Sequence, residues 1–414
     1  MFKRPFGKKD NRTKPASARI DVDEFVRQMA ERDGSQERAD RLPAWALLLR
    51  SPFLATGDAT SWFGGYPKAP ADFSWPRDPD GAAMHFLTQI DLSSLKEEPA
   101  TGQRPPGLPQ QGAILFFIGR TCSCHVLGAA QMARASELAP PDDLAPVSQH
   151  GYFSEETAFG YWPIDPVAYL DSDGGRPDFL PDRFKRPADW MTNWGIAALE
   201  AELVIEHLER ELGFGASFLK LQKERRAAGK PLPETEVIRS KTAHYSLMND
   251  RLPGLLTSMK AWRRTASSNP ATDPVDRALL EDIFRSRVAL ADEMQGYGLK
   301  NVLPGNPKEV WTRIMRDHRG TLGYGDHDVL PLAYRPFVEA MITDWRGHRL
   351  FGLEMPPPYN DEDLRGRDCL INVSADLLLN TVSEHEYGMS IWCSREEMDK
   401  GMHGNGVFLR HGRG

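Results

Sequence analysis

The chain has 414 residues, a length that allows two or three hydrophobic cores of ordinary size. Its 32 prolines and 35 glycines indicate many turns rather than a helical bundle. No run approaches the ~20 apolar residues of a membrane helix, and no apolar signal segment follows the charged amino terminus. Four cysteines are too few for a disulfide-stapled secreted fold, so a cytoplasmic location is expected.

The net charge of −7 is unevenly spread along the chain. Residues 1–19 hold seven basic side chains and one acidic side chain, which leaves −13 on the remainder. We expect residues 1–20 to be a disordered basic tail that makes, at most, weak contacts with nucleic acid or another acidic partner. The acidic body argues against wider nucleic-acid binding, because phosphate contacts need positive surface, and no membrane contact is expected.

The pattern of apolar residues divides the rest of the chain into four regions. Residues 21–33 predict a short amphipathic helix. Residues 42–170 contain short apolar runs between glycines and prolines, which is typical of β-strands. Residues from about 190 to 346 predict helices, and residues 348–414 return to short strands.

The first β region contains an unusual series of short motifs. They are WFGGYP at residues 62–67, WP at 75–76, FLTQIDL at 86–92 and GAILFFI at 112–118. The Gly-Gly pair predicts a tight turn, and the two apolar runs predict strands. This order of turn, amide-bearing strand and buried strand returns near the carboxyl terminus.

The helical region shows four apolar stripes at helical spacing. Asp273 and Asn306 each precede a proline and predict helix starts, whereas Gly213 and Gly347 predict helix ends. These stripes predict helices packed on the sheet rather than a cofactor pocket, and no cofactor is expected. The stripes consist of Leu199, Leu203, Leu208 and Leu212; Val275, Leu279, Ile283, Leu290 and Met294; Val310, Trp311, Ile314 and Met315; and Phe337, Val338, Met341, Ile342 and Trp345.

The two β regions can be aligned when Gly65 is laid on Gly352. The aligned segments are residues 61–65 with 348–352, 87–91 with 370–374, and 112–116 with 388–392. This alignment predicts an internal duplication, and chance similarity between turn-rich β segments is the alternative.

The alignment places Gln89 and Asn372 at equivalent positions. Side chains of a strand alternate between its faces, so Leu87, Gln89 and Asp91 are expected to share one face. The other face is expected to carry Phe86, Thr88, Ile90 and Leu92. A buried amide needs hydrogen-bond partners, so the two amides either hold the Gly-rich turns in place or line a polar cleft between the halves.

The motifs at residues 63–67, 75–76 and 86–92, with Leu108-Pro109 before the strand at 112–118, resemble the YwqG-like family of bacterial proteins, a domain of unknown function. The resemblance covers about residues 45–410 and is strongest between 60 and 120. Two positions depart from the family pattern. Ala69 replaces the usual leucine between two prolines, and the second Gly-Gly pair is Phe351-Gly352.

The resemblance implies an α+β fold with a mainly antiparallel sheet, an intracellular setting and no established activity. Together with the alignment, it predicts two pseudo-repeated β halves with a helical block between them. Residues 21–345 and 346–414 would together form one domain. Its parts would be a β half at 42–170, a helical insertion at about 190–346 and a β half at 348–414.

Metal and nucleophile motifs are weak or missing. The CSCH run at 122–125 has two metal-binding cysteines, but no second short-spaced pair follows it, so no metal site is expected. The GDHD run at 325–328 is typical of loop capping, because adjacent side chains on an extended segment diverge. The motifs of esterases, zincins and P-loop ATPases are absent.

Two functional hypotheses remain, and whether the protein is an enzyme is left open. The first is a non-catalytic protein-binding module whose interface anchors are the aromatic residues Trp62, Tyr66, Phe73 and Trp75. The second is a hydrolase or group-transfer enzyme with a polar cleft between the β halves, lined by Gln89, Asp91, His348 and Asn372. An open cleft shared by both amides would favour the enzyme, and amides buried against the turns would favour the binding module.

Overall fold

A computed structural model describes the chain from Leu42 onward with internal gaps. The described residues are 42–53, 59–147, 157–172, 176–180, 187–293, 306–322, 329–352, 367–374, 386–399 and 407–412. The basic tail, the helix predicted at 21–33 and the GDHD run at 325–328 lie outside these residues.

The β-strands come from both ends of the described chain. They are β1 (Leu42–Leu49), β2 (Trp62–Phe63), β3 (Lys68–Ala69), β4 (His85–Asp91), β5 (Gly112–Ile118), β6 (Cys122–Gly128), β7 (Ser136–Glu137), β8 (Trp162–Asp171), β9 (Arg349–Phe351), β10 (Arg367–Ser374), β11 (Glu386–Ser394) and β12 (Val407–Gly412). A single 3₁₀ turn, Leu92–Ser94, follows β4.

The helices lie mostly between β8 and β9. They are α1 (Ala129–Met132), α2 (Pro187–Trp190), α3 (Trp194–Ala227), α4 (Glu236–Ser268), α5 (Arg277–Glu293), α6 (Pro307–Leu322), α7 (Arg335–Ile342) and α8 (Arg395–Asp399). The α+β class and the insertion of helices between the strands are confirmed. None of the helices within the described residues is long and apolar enough to cross a membrane.

Ten strands form one antiparallel sheet in the order β12-β11-β10-β9-β1-β8-β2-β4-β5-β6. The order is symmetric about the boundary between β1 and β8, with five strands on each side. We call β8, β2, β4, β5 and β6 the N-half, and β1, β9, β10, β11 and β12 the C-half. Among the described residues, the first strand, β1, therefore lies in the C-half, and β8, the last strand before α2, lies in the N-half.

The sheet curls until its two ends approach each other. Cys122 on β6 and Cys393 on β11 are close enough that a charge on Cys393 raises the pKa of Cys122, an effect smaller than that of burial. A side chain at Gly107, just before β5, would lie 2.7 Å from the Met398 Cβ in α8. The N-half and the C-half thus meet twice, at β1–β8 and across this closure.

The inner face of the curled sheet holds the main hydrophobic core. Apolar side chains from both halves pack there with α2 to α7, and examples are Trp45, Phe63, Ile114, Ile371 and Leu208. The outer face carries two smaller clusters. One lies on the N-half around Trp62 and Phe117, and one lies across the β1–β8 pair around Ala46 and Tyr169.

Two predicted helix stripes are confirmed with their bounds only partly right. Val310, Trp311, Ile314 and Met315 are buried in α6, and the Asn306 carboxamide accepts a hydrogen bond from the Lys308 backbone N–H at 2.9 Å. Phe337, Val338, Met341 and Ile342 are buried in α7. That helix ends at Ile342, five residues before Gly347, so the predicted end was wrong.

The predicted helix end at Gly213 was also wrong. α3 continues through this glycine to Ala227, for 34 residues. An interior glycine costs about 1 kcal/mol relative to alanine, which packing can offset. Here α3 packs against α4 beyond the glycine, where the Phe218 and Tyr245 rings lie 5.2 Å apart.

The predicted start of α5 was displaced by three residues. The Asp276 carboxylate, not that of Asp273, accepts a hydrogen bond from a first-turn backbone N–H, that of Ala278, at 2.8 Å. The buried stripe is rotated accordingly. Leu280 and Phe284 are buried with Arg287, whereas Leu279 is exposed.

The charge of Arg287 explains why the stripe could not be seen as apolar. Its Nη2 lies 2.6 Å from Glu200 Oε1, and both side chains are at most 2% exposed. An ion pair sealed between α3 and α5 therefore occupies a position that apolar periodicity alone would assign to solvent.

Candidate functional site

The N-half and the C-half match residue by residue where the sequence alignment predicted it. Trp62 and Phe63 lie opposite Gln89 and Thr88, just as Arg349 and Leu350 lie opposite Asn372 and Ile371. The Ile164 backbone N–H donates to the Ser61 carbonyl at 3.0 Å, and the Leu47 N–H donates to the His348 carbonyl at 3.0 Å. The alignment of 61–65 with 348–352 and of 87–91 with 370–374 is therefore confirmed by register.

The third aligned pair was displaced by one residue. Gln89 lies opposite Leu115, and Asn372 lies opposite Ser390. Leu115 thus corresponds to Ser390, whereas the alignment had placed it on Ile391. Gly112 and Gly388, which the sequence alignment had matched, are not structurally equivalent, because Ala113 is the residue that corresponds to Gly388.

Both turns after these short strands use the left-handed backbone region twice in succession. Gly64 and Gly65 have φ of 62° each, and Phe351 and Gly352 have φ of 55° and 80°. Phe351 is the one non-glycine residue with positive φ among the described residues. Its ring is 4% exposed and packs edge-on against Trp45 at 5.9 Å, and this packing offsets the conformational cost of about 1–2 kcal/mol.

A β-bulge changes which side chains share a face on β4. The register shifts between Phe86 and Thr88, so alternation is interrupted at Leu87. Leu87 packs into the main core and Phe86 lies in the outer cluster, so the predicted faces were wrong for these two residues. Gln89 lies on the outer face, directly opposite Trp62. β10 has the matching bulge between Cys369 and Ile371.

Gln89 is sealed in the N-half. Its side chain is 1% exposed, and Oε1 accepts a hydrogen bond from the Lys68 backbone N–H at 2.8 Å. Lys68 opens β3, the short strand that follows the Gly64-Gly65 turn and covers the outer face. The Lys68 ammonium also lies 5.5 Å from the centre of the Trp62 ring.

The aromatic residues proposed as interface anchors pack with this cover. Trp62 is 3% exposed, and its indole N–H donates to the Tyr66 carbonyl at 3.3 Å. Trp75 and Phe73 are half-buried against Phe117, with ring centres 5.4 and 6.0 Å apart. Tyr66 is half-buried beside them. These rings form a second small core on the outer face.

The equivalent row of the C-half is polar. Arg349, Asn372 and Ser390 are side by side on β9, β10 and β11, and each is at most 2% exposed. The Arg349 Nε lies 3.7 Å from Asp171 Oδ2, and that carboxylate is 1% exposed. We call Asp171, Arg349, Asn372 and Ser390 the polar row.

The other predicted cleft residues lie elsewhere. Asp91 caps the 3₁₀ turn, and its two carboxylate oxygens accept hydrogen bonds from the Ser93 N–H and hydroxyl at 2.9 Å each. His348 is fully buried, and its ring lies 5.2 Å from Phe63. Gln89 and Asn372 are separated by five strand spacings, about 24 Å along the sheet at ~4.8 Å per strand.

The CSCH run is divided between the two faces of β6. Cys122 and Cys124 point into the main core, whereas His125 lies on the outer face between the Phe73 and Phe117 rings. Burial lowers the pKa of His125, and its Nε2 lies 2.7 Å from the Ser123 hydroxyl. Within the described residues, no three His, Cys, Asp or Glu side chains are grouped so that they could hold a metal ion.

The sequence did not predict the exposed end of the long helical hairpin, because the helix was expected to stop at Gly213. Beyond Leu208 in α3 and before Met248 in α4, Gly215 is the one buried helical residue. We call residues 209–247 the arm. Its two helices pack on each other through Phe218 and Tyr245 and through a hydrogen bond of 2.6 Å between Gln222 and Thr242. The arm extends for roughly 28 Å along α3 at ~1.5 Å per residue.

The tip of the arm, residues 219–241, is basic in an acidic protein. It holds seven basic side chains against the three carboxylates Glu224, Glu234 and Glu236, a net charge of +4 that leaves −11 on the rest of the chain. The basic residues are Lys220, Lys223, Arg225, Arg226, Lys230, Arg239 and Lys241. Phe214, Leu221 and Val237 are exposed on the arm at 60%, 46% and 62%.

Comparison with known families covers a part of the N-half. Residues 61–137 match the model of a family described as a domain of unknown function, DUF1963. The match begins just before β2 and ends with β7, so it includes both Gly-Gly turn residues, Gln89 and the cover of the outer face. No curated protein shows a significant match to the chain.

Proposed function

We propose that this chain is a non-catalytic binding protein that holds an acidic protein partner with the tip of its arm. The observation that carries the proposal is the juxtaposition of a +4 tip with exposed apolar side chains on an element that extends beyond the core. The centres of protein interfaces are enriched in aromatic residues and arginine. Exposed apolar patches on a protein surface indicate docking sites.

A protein partner fits this surface better than nucleic acid or a membrane. Interfaces with nucleic acid are strongly positive, whereas Glu224, Glu234 and Glu236 are interspersed among the basic residues of the tip. Mixed charges with separate apolar anchors such as Phe214 and Val237 are typical of protein interfaces. Opposite net charge would also steer an acidic partner toward the tip.

The enzyme hypothesis has less support. Gln89 is bonded to the cover of the N-half, Asp91 caps a turn and His348 packs on Phe63, so these three do not converge with Asn372. The polar row is the feature that favours this alternative, because it places an arginine and two amide or hydroxyl side chains together. The side chains of the polar row are buried from solvent, which indicates a structural role.

We further infer that residues 21–414 form one YwqG-like domain built on a duplicated β unit and that the protein works inside the cell. The matching registers and turns of the two halves support the duplication. Four free thiols, Cys122, Cys124, Cys369 and Cys393, fit a reducing compartment.

Affinity capture from the native host tests the proposed binding with two matched charge-reversal variants. The tip variant combines Lys223→Glu with Lys241→Glu, and both side chains are exposed. The control variant combines Arg134→Glu with Lys308→Glu, which are exposed outside the arm and make the same change in net charge. All three proteins are first compared by circular dichroism and thermal unfolding.

We expect the wild type and the control variant to retain an acidic protein that the tip variant loses. Retention should weaken as salt rises, because the attraction between exposed charges is screened. Equal retention by the tip variant, or a signal that nuclease treatment abolishes, would contradict the proposal.

A further inference from the structure

An open cavity of about 470 Å³ lies at the base of the long helical hairpin, at the opposite end from the tip. It is lined by the first turns of α3, the last turns of α4 and the turn at residues 331–334. Cavities that hold small ligands commonly have volumes of ~300–1,000 Å³. The size therefore suits a small molecule of about the dimensions of a dipeptide.

The cavity combines an apolar wall with opposite charges. Trp194 and Leu199 contribute apolar surface from α3. Glu202 lies on the same helix, one turn after Ala198, and Arg263 faces the cavity from α4. Tyr334 contributes the one phenol among the lining residues. A site that offers both a carboxylate and a guanidinium is matched by a ligand with both charges.

The charged groups are available to a ligand. Arg313 Nη2 lies 3.7 Å from the Glu202 carboxylate, which is too far for a hydrogen bond. The other two guanidinium nitrogens of Arg313 donate to Glu206 and Asp317. Within the part of the chain that the structure describes, the Glu202 carboxylate and the Arg263 guanidinium make no hydrogen bond, and Glu202 is held by its ion pair with Arg313 alone. Glu202 keeps 44% of its side chain exposed.

The Tyr334 hydroxyl remains protonated at neutral pH. Burial raises its pKa, and the nearby carboxylates of Glu202 and Asp317 raise it further, against a smaller opposite effect of Arg313. A neutral phenol can accept a hydrogen bond from an ammonium group while it donates to a carboxylate. Tyr334 and Glu202 both line the cavity, so a ligand there could reach both groups.

The cavity walls are held firmly by contacts at the start of α3. The Asn193 side-chain amide donates to the Ala333 carbonyl at 2.6 Å, and its oxygen accepts from the Ile196 N–H at 3.0 Å. A side chain at Gly195 would lie 2.6 Å from the Ala333 Cβ, so glycine allows this close approach. The helix start and the turn at 331–334 thus form one packed unit.

We propose that this cavity binds a small zwitterion of dipeptide size, with its ammonium group at Glu202 and Tyr334 and its carboxylate at Arg263. The apolar wall formed by Trp194 and Leu199 accepts the side chain of the ligand. The proposal is independent of the arm tip, so either one can fail without the other.

Isothermal titration with glycyl-leucine tests the site, alongside two probes that each lack one charge. N-acetyl-glycyl-leucine has no ammonium group, and glycyl-leucinamide has no carboxylate. Wild-type protein should bind glycyl-leucine and bind each neutralised probe about tenfold more weakly, the loss expected for one charge-assisted contact. No binding of glycyl-leucine, or equal binding of the three probes, would overturn the proposal.

Variants with matched controls locate the two charges. Glu202→Gln should weaken the binding of glycyl-leucine about tenfold and leave the binding of the acetylated probe unchanged. Arg263→Gln should also weaken the binding of glycyl-leucine about tenfold, but it should leave the binding of the amidated probe unchanged. Glu206→Gln also removes a partner of Arg313 but lies outside the cavity, and Arg264→Gln neighbours Arg263 without lining it. Both controls should bind like the wild type, and a loss equal to that of the cavity variants would contradict the assignment.

Discussion

The outer faces of the N-half and the C-half occupy equivalent places in the sheet but differ in chemistry. In the N-half, Trp62 and Leu115 flank Gln89, and they are covered by β3 and by the rings of Phe73 and Trp75 that follow it. In the C-half, the corresponding positions hold Arg349, Ser390 and Asn372, with Asp171 beside the arginine. The same register therefore supports an apolar layer on one side and a polar row on the other.

This difference shows that strand geometry and face chemistry are separable. The bulges on β4 and β10, the double left-handed turns and the paired hydrogen bonds to Ser61 and His348 agree between the halves. Those features concern the backbone. The amide at Gln89 and Asn372 is the one polar side-chain type that both outer rows share, and its partners differ.

The largest expected effect concerns Arg349. Arg349→Met would leave the Asp171 carboxylate buried without its neighbouring positive charge, at a cost of about 3–5 kcal/mol in the free energy of unfolding. Chemical denaturation measures this loss. Adding Asp171→Leu to Arg349→Met should restore much of the stability, because an apolar pair can replace a buried ion pair. A single variant as stable as the wild type would contradict the polar row.

The position of Gly64 should not tolerate a side chain, although its counterpart in the C-half is Phe351. A Cβ at Gly64 would lie 2.0 Å from the Gly160 carbonyl oxygen, so Gly64→Ala should lower stability by about 3 kcal/mol. Gly81→Ala is the matched control. It has φ of +89° with nothing within 4 Å, so only the backbone penalty of about 1 kcal/mol applies. Equal losses by both variants in thermal unfolding would contradict the crowding at Gly64.

The amide of the N-half is expected to secure its cover. Gln89→Met leaves the Lys68 backbone N–H without its acceptor and should cost about 1–3 kcal/mol. Gln110→Met, at an exposed glutamine, should change stability by at most ~0.5 kcal/mol. Urea denaturation compares the two. If Gln89→Met were neutral, the hydrogen bond to Lys68 would not hold the cover.

The closure between the halves is expected to protect its thiols. Burial raises the pKa of Cys122 from 9.0 to about 12, so its thiolate fraction at neutral pH falls about a thousandfold. Burial also raises the pKa of Cys393 to about 11. Native protein should therefore resist iodoacetamide at both sites, and urea-unfolded protein should react. Rapid native labelling of both, followed by mass spectrometry, would indicate that the halves separate at this end.

The sequence predicts the repeated backbone well because glycines mark its turns and short apolar runs mark its strands. Laying Gly65 on Gly352 reproduces the register of β2 with β9 and of β4 with β10. The sequence alignment matched Gly112 with Gly388, although Ala113 is the structural counterpart of Gly388. This error of one residue arises because both strands begin near a glycine and a shift of one residue leaves the pattern of apolar residues similar.

Other features depend on tertiary contacts that the sequence does not display. The bulge at Leu87 has no local marker, and the long α3 passes through Gly213 because α4 packs on it. The partners of Arg349 and Arg287 are 178 and 87 residues away in the chain, so neither pairing could be read from spacing. The arm and the cavity at its base follow from the same long-range packing.

Photo-crosslinking in the native host tests the central claim, that the arm rather than the sheet's outer face binds the partner. p-Benzoylphenylalanine is placed in separate proteins at Phe214 on the arm and at Tyr66 on the N-half. We predict a protein adduct from the Phe214 position that disappears when Lys223→Glu and Lys241→Glu are added, and none from Tyr66. An adduct from Tyr66 with none from Phe214 would contradict the account.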